Sequence, residues 1–194
     1  MKKVLAAVAA FVCVPGVAAA QDAAPASRAS NFDGPRIEAR IGWETPTVSD
    51  NGNVYKIESD VSLGGEIGFD FAVGKNVVVG PYAVYEFSNV NLCDGADCLE
   101  EDGNLAAGLR VGVAAGDNML IYGKVGYARI DFTATTGAIT VSEGQEGIQG
   151  AIGLNFNFGR NFYGMIEANY ADYGDFFGIS LQRRHVAAGV GVRF

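Results

Sequence analysis

The segment Arg36-Ile-Glu-Ala-Arg-Ile-Gly-Trp43 carries the pattern that decides the fold. Its even-numbered positions hold charged residues and a glycine, whereas its odd-numbered positions hold apolar residues. Successive side chains of a β-strand point to opposite faces, so an alternation with a period of two is typical of a strand with two different sides. The segment therefore predicts a strand with one charged face and one apolar face.

The same alternation recurs along the chain. We predict eight strands, near residues 35–44, 62–73, 77–87, 105–115, 119–132, 147–158, 162–172 and 183–194. Most are 10 to 12 residues long, close to the roughly 9–11 residues with which a tilted strand crosses a bilayer. Beyond the N-terminus no apolar run approaches the length of a spanning helix, so a membrane crossing would have to use strands.

Three short turns join the predicted strands in pairs, and they share the pattern Gly-x-Asn. They are Gly74-Lys75-Asn76, Gly116-Asp117-Asn118 and Gly159-Arg160-Asn161. Glycine and asparagine tolerate the positive φ angles of tight hairpin turns. Longer polar segments separate the pairs, at residues 45–60, 88–104, 133–146 and 173–182. Short periplasmic turns alternating with long external loops are typical of outer-membrane barrels. We therefore predict an all-β fold, an eight-stranded antiparallel up-and-down transmembrane β-barrel.

The polar strand faces combine charges with many glycines, which suits a narrow lumen better than a solvated exterior. An eight-stranded barrel has room inside for side chains and little else. Because an unpaired buried charge costs several kcal/mol, we expect these groups to pair across the lumen rather than line a pore or a catalytic site. The expected lumen charge network contains Arg36, Glu38, Arg40, Glu66, Asp70, Glu86, Arg110, Lys124, Glu167 and Arg193. A soluble lipocalin-like binder would require the two faces to be exchanged.

Aromatic residues cluster near both ends of the predicted strands. Two aromatic girdles at the membrane interfaces would produce this placing, whereas ordinary β-propensity explains the abundance alone. The expected girdle residues are Trp43, Tyr85, Phe87, Tyr127 and Tyr170 near the long loops, and Phe156 and Phe158 near a short turn.

The first 20 residues have the order of a cleavable signal peptide. Lys2 and Lys3 precede an apolar run over 4–14, and Ala18-Ala19-Ala20 supplies small residues for cleavage. A membrane-anchoring helix is the alternative, but the run is shorter than the ~20 residues that a spanning helix needs. We therefore expect a signal peptide over 1–20, a flexible periplasmic lead-in over 21–33 and a barrel domain over 34–194.

Charge and cysteine content restrict the partners. A formal net charge of −8 argues against a nucleic-acid partner, which requires a basic surface. Cys13 would leave with the signal peptide, and the remaining pair, Cys93 and Cys98, predicts a disulfide in an oxidising compartment; two free thiols are the alternative. The single histidine, His185, is far from both cysteines in sequence, so we expect no metal site and no cofactor.

The C-terminal segment His185-Val-Ala-Ala-Gly-Val-Gly-Val-Arg-Phe194, together with Leu120-Ile-Tyr-Gly-Lys-Val-Gly-Tyr-Ala128, resembles a known family. Over about 36–194 the chain is similar to the OmpA/OmpX-type eight-stranded barrels and the opacity-like "porin family" proteins. The resemblance implies an outer-membrane location and recognition of the last strand by the barrel-assembly machinery. The residues that match this assembly signal are Val186, Ala188, Val190, Val192 and Phe194.

These signatures report a fold rather than an activity. We expect a structural or surface-interaction barrel that contacts outer-membrane lipids and lipopolysaccharide and carries four external loops. A narrow porin is one alternative. An outer-membrane lipid-modifying enzyme is another, with His185 as base and Ser180 as nucleophile, but closeness in sequence is not triad geometry. The second loop is acidic, which suggests either divalent-cation binding or plain solvation; its carboxylates are Asp94, Asp97, Glu100, Glu101 and Asp102.

Overall fold

A computed structural model describes residues 27–50, 53–56, 59–88, 91–94, 97–136, 139–176 and 179–194. The predicted signal peptide over 1–20 lies outside these residues. The elements are the 3₁₀ helix η1 (Arg28–Phe32) and the strands β1 (Gly34–Asp50), β2 (Asn53–Lys56), β3 (Asp60–Val73), β4 (Val77–Phe87), β5 (Asn91–Asp94), β6 (Asp97–Ala114), β7 (Met119–Thr136), β8 (Ile139–Asn157), β9 (Phe162–Phe176) and β10 (Ile179–Arg193).

Eight of these strands close into an antiparallel barrel. They follow one another in chain order, β1, β3, β4, β6, β7, β8, β9 and β10, and β10 pairs back onto β1. The closing ladder runs from Arg36 opposite Arg193 to Ser49 opposite Ser180. Closure leaves the barrel wall without an open sheet edge, which a chain surrounded by lipid requires. The prediction of an all-β, eight-stranded up-and-down barrel is confirmed.

The three Gly-x-Asn turns lie at one end of the barrel, which we call the short-turn end. Gly74, Gly116 and Gly159 have φ angles of 71°, 127° and 98°. Residues with a side chain rarely adopt such positive φ angles, so these positions favour glycine. The opposite end, where the longer connections lie, is the long-loop end.

The two strand faces separate as their alternation predicts. Ile152 on the outer wall is 72% exposed, whereas Arg36 inside is 1% exposed. The expected girdle residues all lie on the outer side and are 40–60% exposed. Tyr85 and Phe87 pack edge to face, with ring centroids 4.7 Å apart. The outer wall is therefore an apolar surface that suits lipid. Among the described residues, no helix is both long and apolar enough to cross a membrane.

The strands reach further toward the long-loop end than the sequence indicates. We predicted loops over 45–60, 88–104, 133–146 and 173–182, but β1 and β6–β10 continue into these segments, and β2 and β5 lie within them. Apolar alternation marks a strand only where one face is in lipid. Beyond the bilayer both faces are solvated, and the backbone ladder continues without that pattern. The register places Cys93 opposite Cys98 in the β5–β6 hairpin, but their side chains lie outside the described residues, so the disulfide stays a prediction.

The segment before β1 also differs from the expected flexible lead-in over 21–33. Residues 28–32 form η1, capped by the Ser27 side chain, which accepts a hydrogen bond from the Ser30 amide at 3.2 Å. Ala29 and Phe32 are fully buried. Two apolar residues in a polar stretch give no periodicity, so the sequence contains no signal of this packing. Residues 21–26 lie outside the described part of the chain.

Candidate functional site: the lumen charge network

Arg40 is the central cation of the lumen. Its guanidinium contacts Glu66 at 2.8 Å, Glu167 at 2.6 Å and Glu86 at 3.0 Å. Four strands supply these groups, because Arg40 lies on β1 and its partners lie on β3, β4 and β9. Glu38 is 3.8 Å away and accepts a hydrogen bond from the Tyr163 hydroxyl. One side chain therefore ties opposite walls of the barrel together.

Glu66 is the matching anion. It accepts hydrogen bonds from Arg36 at 2.6 Å and from Lys124 at 2.6 Å, in addition to Arg40. Lys124 also bonds to Glu167. Each charge in this middle layer thus contacts at least one opposite charge. Charge-assisted hydrogen bonds of this kind are stronger than neutral ones.

A second layer surrounds Asp70 toward the short-turn end. Arg36 approaches this carboxylate at 3.2 Å, Arg110 at 3.2 Å and Arg193 at 3.4 Å. Arg110 also donates to Asn155. Three guanidinium groups around one carboxylate leave this layer positive, which offsets the carboxylates of the middle layer.

A third layer lies toward the long-loop end and contains residues that the sequence analysis missed. Arg183 bonds to Glu44 and, at 2.9 Å, to Glu86. Ser88 donates to Glu44 at 2.5 Å. Glu44 and Arg183 do lie on the polar faces that the alternation predicts for their strands. Glu44 is the last residue of its predicted strand and Arg183 is the first of its own, however, and at such an end alternation cannot distinguish the lumen from the solvent.

His185 belongs to this layer as well, and its partner differs from the one considered above. Its Nε2 lies 2.8 Å from the Ser62 hydroxyl, and its Nδ1 lies 3.6 Å from Glu86. The register places Ser180 opposite Ser49, well along β10 from His185. His185 and Ser62 are 2% and 1% exposed, so this Ser–His–Glu arrangement is enclosed by the barrel and out of reach of a bulky lipid.

The described lumen charges balance. Six cations and six carboxylates are each 0–7% exposed: Arg36, Arg40, Arg110, Lys124, Arg183, Arg193, Glu38, Glu44, Glu66, Asp70, Glu86 and Glu167. The ten residues of the predicted network are all among them, together with Glu44 and Arg183. A neutral, multiply bonded set of charges is the condition under which burial is tolerated. The arrangement therefore places twelve charged side chains, paired across strands, inside the barrel.

An apolar cluster covers the network on the long-loop side. It includes Val84, Ala128, Ile130, Ala171 and Leu181, all facing inward. Beside it, the Tyr173 hydroxyl donates to Asn104 at 2.7 Å. These apolar contacts pack the part of the lumen that is nearer to the long-loop end.

η1 covers the short-turn end and contacts two of the turns and the end of β8, next to the third turn. The Ala29 amide donates to the Lys75 carbonyl at 3.1 Å, and the Asn31 side chain donates to the Asp117 carbonyl at 3.1 Å. The Asn157 side chain donates to the Asn31 carbonyl at 3.2 Å. Phe32 packs in a cluster with Ala29, Val78, Ala114 and Leu120.

The residues of the expected assembly signal lie on the outer face of β10 and at the residue that follows it, Phe194. Among them Val192 is half-buried. Val186, Val190 and Phe194 are 56%, 60% and 69% exposed. They are therefore accessible on the strand that closes the barrel. Within the described part of the chain, no group of three or more His, Cys, Asp or Glu residues could hold a metal ion.

Comparisons with solved structures give the same architecture. The chain is similar to Ail, the attachment invasion locus protein of Yersinia pestis, in complex with the heparin analogue sucrose octasulfate. The TM-score is 0.56 at 16% identity, over 83% of this chain and 99% of that chain. It is also similar to Neisserial surface protein A, with a TM-score of 0.55 at 11% identity, over 81% of this chain and 97% of that chain. Such low identities show the fold alone.

No curated protein matches the sequence. The family model described as the outer membrane protein beta-barrel domain matches residues 4–194, which is nearly the whole chain. Together with the closed eight-stranded barrel and its lipid-facing wall, this match shows that the chain belongs to the outer membrane β-barrel family.

Proposed function

We propose that this protein is a sealed outer-membrane anchor that presents the long-loop end to the outside of the cell. The balanced lumen charge network carries the proposal. Twelve charged side chains, none more than 7% exposed, occupy the space through which a solute would have to pass. Moving them aside would break several buried ion pairs at once, each at a cost of about 3–5 kcal/mol.

The contacts of η1 support the same conclusion. Outer-membrane barrels place their short turns in the periplasm, so η1 would close the periplasmic mouth. Its hydrogen bonds reach two of the turns and the end of β8, next to the third, and the buried Phe32 packs with Val78, Ala114 and Leu120. The lumen is thus closed below by η1 and above by the apolar cluster of Val84, Ile130 and Leu181.

The protein would reach the outer membrane by export and barrel assembly, and it would then be surrounded by lipid. The predicted signal peptide would direct export, the outer face of β10 would be recognised by the barrel-assembly machinery, and the apolar wall would contact outer-membrane lipids and lipopolysaccharide. The Ail structure holds a sulfated sugar, a polyanion. The long-loop segments of this chain are acidic, which argues against the same ligand here.

Planar-bilayer recording tests the sealed lumen. The purified protein is first shown to be folded by its heat-dependent shift on a gel. After insertion we expect it to give no conductance above that of the lipid alone. Residues 21–33 can be removed as a comparison, and this variant should stay closed because the charge network remains. Large, reproducible channels from the unaltered protein would overturn the proposal and favour a narrow porin.

A further inference from the structure

The barrel rim has an open strand edge at the long-loop end. β8 pairs with β7 along its whole length, from Phe156 to Ile139, whereas β9 pairs with β8 only as far as Ile148. On its other side, β9 pairs with β10 from Phe162 to Phe176. Within the described part of the chain, residues 139–147 therefore have no ladder partner on their β9 side. Gly147 still lies against Asp172 and Tyr173 of β9, so a seam between the two strands opens beyond it.

This edge lies outside the apolar band. On the outer face of β7, the residues are apolar up to Val125 and Tyr127, and the next two are the exposed pair Arg129 and Asp131, which form an ion pair at 2.9 Å. Ile148 is the last apolar outer residue of β8 before Glu146. Eighteen residues of β7 span about 60 Å, far more than the ~25 Å of the apolar band. The edge is therefore in water.

The edge is regular and suited to pairing. The β7–β8 ladder has no register shift over its whole length, and 139–147 contains no proline. It begins with the β-branched residues Ile139, Thr140 and Val141. In an antiparallel ladder, alternate residues direct their amide and carbonyl groups to opposite sides. About half of this strand's backbone groups thus point into the seam, and natural proteins usually block such an edge.

The charge of the residues on both sides of the seam indicates which kind of strand could bind there. The two strand segments that border the seam, 139–147 and 171–176, contain Glu143, Glu146, Asp172 and Asp175 and no lysine or arginine. A second copy presenting the same edge would bring like charges together, which is unfavourable in cross-strand pairs. Arg129 on β7 lies 3.8 Å from Glu146 and offsets part of this charge, but the bordering segments keep a net negative charge, which favours a cationic strand.

We propose that residues 139–147 bind an extended, lysine- or arginine-rich segment of another protein by β-strand addition. Backbone hydrogen bonds to the free side of β8 would supply affinity, and the four carboxylates would supply preference for a basic sequence. The inference rests on the proposed function in one respect, which is that the long-loop end faces the exterior and is free to meet a partner.

The experiment uses the folded full-length mature protein in lipid nanodiscs and a labelled decapeptide of alternating lysine and valine. We expect saturable binding by fluorescence anisotropy, with slower hydrogen exchange confined to the amides of 139–147. The double variant Glu143→Lys/Glu146→Lys should bind about 15-fold more weakly, because each substitution removes an attraction of roughly twofold and adds a repulsion of roughly twofold, which is roughly fourfold per position. The matched control Glu100→Lys/Glu101→Lys changes the same charge on β6, away from the seam, and should bind within about twofold of the original.

Three results would overturn the inference. The first is absence of saturable binding. The second is equal weakening in both double variants, or equal binding of a decapeptide with N-methylated alternate amides, since either would show attraction by charge without strand pairing. The third is concentration-dependent self-association by light scattering with protection of the same amides, which would make a second copy the occupant. Conductance measures the sealed lumen separately, so failure of that proposal is distinguishable from failure of this one.

Discussion

Removing the charge of Arg40 tests the lumen network most directly. Its guanidinium contacts three carboxylates at 2.6–3.0 Å, on Glu66, Glu86 and Glu167. Arg40→Met keeps most of the side-chain volume but would leave six lumen carboxylates against five cations among the described residues. Loss of one partner of a buried ion pair leaves an uncompensated charge and costs about 3–5 kcal/mol. We expect the free energy of unfolding to fall by about that amount.

A second change should restore much of the loss. Glu38 has Arg40 as its cation, at 3.8 Å, so Arg40→Met/Glu38→Gln returns the lumen to neutrality and should recover at least half of the stability. Urea unfolding in detergent micelles can be followed by the fluorescence of Trp43, the one tryptophan. The lipid-facing variant Ile41→Val serves as control, with an expected change of about 0.5 kcal/mol or less. A loss below about 1 kcal/mol for Arg40→Met, or strict additivity of the two changes, would refute the reasoning.

Three further substitutions test the packing around the lumen. A Cβ at Gly42 would overlap the His185 ring, so Gly42→Val should lower the free energy of unfolding by about 1–3 kcal/mol in the same assay. The control Gly123→Val should cost much less, because a Cβ at Gly123 would meet only an atom 3.8 Å away. Equal losses would contradict this account of the lumen. Phe32→Ala removes a fully buried ring and should lower the free energy of unfolding by about 3–5 kcal/mol while leaving the bilayer free of channels; a stability within about 1 kcal/mol of the original would show that the Phe32 ring does not hold η1 against the barrel. Phe194→Ala should lower the yield of heat-modifiable barrel in cells without lowering the unfolding free energy of the purified barrel by more than about 1 kcal/mol, and normal yield would exclude the assembly role.

The alternation of side chains predicted the barrel because lipid and lumen impose opposite chemistry on neighbouring residues. Between the girdles, the residues Arg36, Glu66 and Arg110 could be placed inside by the alternation alone, whereas on the less regular third and fifth strands the charges of Glu86 and Lys124 themselves indicated the inner face. Parity does not give distances, and it could not show that Arg40 contacts three carboxylates from three other strands. The partner of His185 was missed for the same reason, since Ser62 is 123 residues away.

Beyond the girdles the sequence signal disappears. The outer parts of β6, β7 and β8, which include residues 97–102 and 133–146, show no apolar alternation that would mark them as strands. η1 is held by Phe32, Ala29 and hydrogen bonds to backbone carbonyls of the turns. A short polar segment carries no pattern for contacts of this kind, because they depend on where the barrel places the three turns.

The distribution of chemistry over the barrel restricts where a partner can act. The wall is apolar and meets lipid, and the lumen is filled by charges that already bond to one another. At the short-turn end, η1 occupies the carbonyl groups of Lys75 and Asp117. The long-loop end differs, because residues 139–147 leave backbone groups without a ladder partner in the described chain. Because the charges of the middle contact one another and the backbone of the rim is open, we expect recognition at the rim, and the conductance and strand-addition experiments therefore address different parts of the same molecule.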